Sequence, residues 1–120
     1  MSQELQVIQD CYDLSLLVLK RVQQFPRNQR YGLGRSIESR MEWILALLLR
    51  CKYSPRGEKD GILRDVNIEL EVLRFQIRQA IELQAMPQQS QSAITEKLIV
   101  VGQQVGGWRK SLQPSEGDRK

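Results

Sequence analysis

The sequence predicts an all-α fold, an antiparallel up-down-up-down bundle of four helices. Three observations lead there. Apolar residues recur at steps of three and four along four long stretches. Proline falls only at the three joints between those stretches and in the tail (Pro26, Pro55, Pro87, Pro114). No period-two alternation is long enough to compete, and short links between long helices favour antiparallel neighbours.

The first helix is expected over about 4–24. Leu5, Ile8, Tyr12, Leu19 and Val22 form its stripe, widened by Cys11, Leu14 and Val18. Asp10 and Asp13 lie in its first half and Lys20 and Arg21 at its end, as the helix dipole favours. Phe25-Pro26-Arg27-Asn28-Gln29-Arg30-Tyr31-Gly32-Leu33-Gly34-Arg35 then reads as a break. Pro26 ends the pattern, and Gly32 and Gly34 loosen the chain. A turn has no need of Arg27, Arg30 and Arg35, whose guanidinium groups fork onto phosphate or carboxylate.

The second helix is expected over about 34–53, with Leu33, Ile37, Met41, Ile44, Leu48 and Cys51 as its core stripe. From Ile44 to Leu49 it is apolar all round, more than one small bundle can cover. Leu45, Leu47 and Leu49 are therefore expected at a subunit interface. Trp43, on the flank, is expected to pack.

The third helix, about 58–84, carries Leu63, Val66, Leu70, Leu73, Ile77 and Ile81, with Asp60 as a candidate cap. Arg74 and Arg78 share one face, where Glu71 is placed to pair with Arg74. The fourth helix, about 91–111, steps through Ile94, Leu98, Val101, Val105, Trp108 and Leu112 in a coiled-coil-like seam. Gly102, Gly106 and Gly107 each cost a helix about 1 kcal/mol against alanine, so close approach of a neighbour is expected there. Residues 1–112 thus form one bundle, and 113–120 a polar, disordered tail.

The net charge of +4 is unevenly placed. Lys20 to Arg56 holds nine basic and two acidic residues, a net +7, against −3 for the remainder. Such asymmetry points to nucleic acid or another polyanion, or to arginines paired locally on a solvated face. Catalytic chemistry has few candidates. There is no histidine, and Cys11 and Cys51 form no CxxC pair and lie in apolar stripes. No phosphate-cradling glycine loop is present. A non-catalytic binding or assembly module without cofactor or metal is the expectation. No stretch reaches the roughly 18 apolar residues of a membrane span, and no signal peptide is visible, so a cytoplasmic location without membrane attachment is expected.

Phe25-Pro26-Arg27 with Arg30-Tyr31 and Leu33-Gly34 resembles the turn of a known family of four-helix-bundle proteins. Tyr53, Leu73-Arg74-Phe75 with Arg78, and Gly106-Gly107-Trp108 extend the likeness from Tyr12 to Ser111. That family includes proteins encoded in intervening sequences of 23S ribosomal RNA genes. The Gly-Gly-Trp end and the basic turn favour its other branch, the accessory variability determinants (Avd) of diversity-generating retroelements. The resemblance implies a homopentamer that binds the element's reverse transcriptase, its template-repeat RNA and the RNA–DNA hybrid, supporting mutagenic cDNA synthesis while catalysing nothing. By motif it implies contacts to nucleic acid or polymerase at Arg27, Arg30, Arg74 and Arg78. Charge clustering alone adds Lys20, Arg21, Arg35, Arg50, Lys52 and Arg56. The competing readings are an intervening-sequence-type bundle of unknown role and an oligomeric helical scaffold without nucleic acid.

Overall fold

A computed structural model describes residues 2–114. Four long helices account for most of them: α1 (Gln3–Val22), α2 (Arg35–Lys52), α3 (Arg56–Glu82) and α4 (Gln89–Ser111). They form the expected four-helix bundle, a rod of 57 × 25 × 23 Å. Each helix packs on its chain neighbours and α4 closes the square against α1. The pairings run antiparallel: Ser36 and Arg40 of α2 meet Gln76 of α3, Asp60 of α3 meets Arg109 of α4, and Gln104 of α4 meets Asp10 of α1. The tail expected at 113–120 lies, from residue 115 on, outside the described residues.

The stripes of α2, α3 and α4 face the core as their spacing predicts. Ile37, Met41, Ile44, Leu48 and Cys51 are buried, as are Leu63, Val66, Leu70, Leu73 and Ile77, and Ile94, Leu98, Val101, Val105 and Trp108. The α1 stripe is rotated from the expected one. Val7, Cys11, Leu14, Val18 and Val22 turn inward, while Leu5 and Tyr12 are exposed. Apolar residues cover so much of α1 that periodicity alone does not choose the face. The chosen face puts small and branched side chains against the core and leaves the Tyr12 phenol in water, where its hydroxyl needs no protein partner.

Five further expectations change. The Phe25–Arg35 stretch is mostly helical: Arg27–Gln29 makes one α-turn from Pro26, and Arg30–Gly34 makes a π-helical turn running straight into α2. Asp60 is no cap, because α3 starts earlier, after Pro55, and Asp60 turns instead to Arg109. Gly102 and Gly106 admit no neighbour, since a Cβ at either would meet open space; only Gly107 is approached closely, by the Gln3 amide nitrogen. Leu47 belongs to this chain's own core at 4% exposure, because it lies on the α3-facing side of the α2 stripe. Leu49 remains exposed and Leu45 half-buried. With Leu5, Tyr12 and Leu16 of the adjoining helix they leave an apolar surface. Trp43 does not pack inward; it is 45% exposed beneath the Arg50 guanidinium, 5.7 Å from the ring centroid.

The Phe25–Arg35 turn is held from three sides. Phe25 is buried, and Gly34 lies so close that a Cβ there would sit 3.1 Å from Val22 Cγ1 and 3.3 Å from Phe25 Cδ2. The Gln29 side-chain amide donates to Leu83 O at 3.0 Å, tying the turn to the end of α3. That end closes with Gln84 at φ 60° and Ala85 N–H donating back to Ala80 O, a Schellman-type stop.

Candidate nucleic-acid interface

The antiparallel fold divides the basic segment between the two ends of the rod. At one end lie Lys20 and Arg21, closing α1, then Arg27 and Arg30 in the turn and Arg35 opening α2. Because α3 returns antiparallel, Arg78 and, further down, Arg74 are carried toward the same end. At the opposite end lie Arg50 and Lys52, closing α2, and Arg56, opening α3. The +7 stretch is contiguous in sequence, yet about 27 Å of α2, 18 residues long, separates its halves.

Among the described residues, Lys20, Arg21, Arg27, Arg30 and Arg35 make no ion pair. All but the half-buried Arg21 are exposed. Arg30, Tyr31, Arg35 and Glu38 line a cleft of about 160 Å³, with Tyr31 63% exposed. Arg30 and Tyr31 open the π-turn and are exposed, while Gly34 at its end is buried against Val22 and Phe25. Single π-turns are frequent at functional sites.

Arg74 and Arg78 are already engaged. Arg74 Nη1 lies 3.5 Å from Glu71 and Arg78 Nε lies 3.1 Å from Glu82, both pairs exposed. Such surface pairs are worth about 0–1 kcal/mol and yield readily to a phosphate. Arg74 also lines a groove of about 230 Å³ between α3 and α4, with Asn67 and Ile99.

The second end mixes structural and available cations. Arg56 Nη2 donates to Ser111 O and Leu112 O, satisfying carbonyls at the end of α4. Lys59, not singled out by sequence, donates to Lys52 O at the end of α2 and stands 5.8 Å from the Trp108 ring centroid. Arg109 donates to both Asp60 oxygens, and this hydrogen-bonded pair lowers the Asp60 pKa and raises that of Arg109. The Lys52 ammonium sits 4.7 Å from the Tyr53 ring centroid, and Tyr53 is 78% exposed. Sequence reasoning passed over Tyr31 and Tyr53 as contact residues. The available signal was their place, each beside a break and flanked by Arg or Lys.

Between the ends the charges are mixed, with Arg40, Arg64 and Arg74 set among carboxylates. Glu38 and Glu42 lie on α2, and Asp65, Glu69 and Glu71 on α3, with Glu69 held by Arg40 across the helix interface. The thiols do not belong to the surface chemistry. Burial pushes Cys11 up to about 12, and Cys51 to about 11, so neither supplies a thiolate near neutral pH.

The fold is thus a small antiparallel helical bundle whose one turn gathers arginines that make no ion pair among the described residues. The family comparison gives it a place: the model of the bAvd-like family matches residues 5–112, and the chain belongs to that family. It is an Avd-type accessory protein, from a family known as accessory and non-catalytic. No curated protein matches the chain. No helix among the described residues is long and apolar enough to cross a membrane.

Proposed function

We propose that the chain is the accessory subunit of a diversity-generating retroelement, holding template RNA and the RNA–DNA hybrid for the reverse transcriptase during mutagenic cDNA synthesis. The observation that carries this reading is the turn end: five cations, Lys20, Arg21, Arg27, Arg30 and Arg35, gathered around the π-turn and without ion pairs among the described residues, in a chain of the bAvd-like family. Phosphate recognition there is through the backbone, with little reading of bases. Binding then releases counterions, so log affinity falls linearly with log salt, by about 0.7–0.9 per phosphate neutralised.

The Arg27→Gln, Arg30→Gln double variant tests it. Both side chains are exposed and unpaired among the described residues, so the fold is expected to survive. On single-stranded RNA the salt slope is expected to become shallower by about 1.4 if two phosphate contacts are lost. The loss is expected to be equal on unrelated sequences, with lower cDNA yield from a reconstituted polymerase complex. A double variant that binds RNA like wild type but no longer holds the polymerase would instead make the turn a protein-docking site.

The same reading includes a homo-oligomer, the pentamer that the family resemblance implies. Its structural support is the apolar surface of Leu5, Tyr12, Leu16 and Leu49, each between 41% and 47% exposed. Light scattering is expected to give a mass several times 13.9 kDa. A monomer at micromolar concentration would remove the assembly from the proposal.

A further inference from the structure

The two most exposed large hydrophobic side chains of the described chain are tyrosines at opposite ends of one helix. Tyr31 lies in the π-turn leading into α2 and is 63% exposed; Tyr53 follows its last residue and is 78% exposed. Neither belongs to the core. Each stands beside cations: Arg30 and Arg35 share the Tyr31 cleft with Glu38, while Lys52 lies over the Tyr53 ring and Arg56 opens the next helix. An aromatic face beside cations is the chemistry that binds single-stranded nucleic acid, bases stacking on the ring and phosphates meeting the charge. The charges between them are mixed, with Glu42 and Arg40 on α2 and Arg64, Asp65, Glu71 and Arg74 on α3.

We propose that the chain carries two separate single-strand contact sites, one at each end of α2, centred on Tyr31 and on Tyr53. This rests on the nucleic-acid reading above and adds to it a second site and a base-stacking contribution. About 27 Å of helix separates the two. The Debye length at physiological salt is about 8 Å, so the charge at one end does not reach the other. The sites therefore act independently unless one strand spans both. α2 fixes their spacing, because its inner face is buried along its whole length.

Fluorescence anisotropy with labelled oligouridylates tests the proposal on the full chain. At about 3.4 Å per nucleotide, a strand of about 4 nucleotides covers roughly 14 Å and cannot bridge the ends; one of about 16 covers roughly 54 Å and can. Wild type is expected to bind two short strands per chain and to hold the long strand more tightly. Tyr31→Ala and Tyr53→Ala are each expected to weaken long-strand binding by roughly 5- to 150-fold and to leave one short-strand site. Tyr31→Phe and Tyr53→Phe keep the ring face and are expected to match wild type, with melting temperatures unchanged throughout. If either alanine variant binds the long strand like wild type, the paired arrangement is wrong. If both do while binding stays salt-sensitive, contact is to phosphate alone; the two stacking sites fall and the accessory reading stands. Wild type without any salt-sensitive binding would overturn both.

Discussion

Trp108→Ala is expected to destabilise the bundle by about 3–5 kcal/mol, the usual loss for a large aromatic removed from a core. The ring is 2% exposed and closes the inner seam of α4 after Ile94, Leu98, Val101 and Val105. It also supports the end of the molecule, because the Lys59 ammonium over the ring donates to Lys52 O. Removing the indole leaves a cavity and a loosened lysine together. For a domain near 100 residues, each kcal/mol moves the melting temperature by about 4 °C or more. A drop on the order of 12–20 °C is the expected reading by circular dichroism. An unchanged transition would mean that the ring does not fill the core.

Gly34→Val is expected to cost about 1–3 kcal/mol by overpacking. Its effect should extend to the site. The added carbon would press on Val22 and Phe25, the two side chains on which the π-turn rests. Relief requires the turn to lift, and Arg30 and Tyr31 ride on that turn. Thermal denaturation and RNA affinity should therefore fall together. Gly102→Ala is the matched control: a methyl group there meets open space, and alanine is the better helix former by about 1 kcal/mol. A Gly34→Val variant as stable as wild type would mean the contact relaxes without moving the turn.

The sequence carried the bundle clearly where a stripe was narrow. On α2, Ile37, Met41, Ile44, Leu48 and Cys51 step by four or three with no rival face, and all are at most 1% exposed. On α1 several faces were apolar, so Leu5 and Tyr12 read as core although Val7 took the inner position. Pro26, Gly32 and Gly34 spelled a loop, because the same residues serve a break and a helix that widens. Interhelical partners such as Arg40 with Glu69 and Arg109 with Asp60 depend on register, which no local spacing contains. The basic residues were visible one by one. Their division was not, since a linear count from Lys20 to Arg56 runs through a whole helix and merges its two ends. Leu47 shows the same limit in the core: an all-round apolar run tells that something covers it, and only packing tells that α3 does.

The buried thiols have a consequence for regulation. Every shift resolved among the described residues moves a group away from neutrality: Cys11, Cys51 and Arg109 upward, Asp60 downward. The chain also has no histidine, the one side chain whose ordinary pKa lies between pH 5 and 8. The thiols matter only in strong base: their raised values mean folded stability declines as pH climbs from about 9 toward 12, where the unfolded chain ionises and the folded one resists. The proposed hold on nucleic acid is therefore expected to respond to salt concentration more than to pH near neutrality.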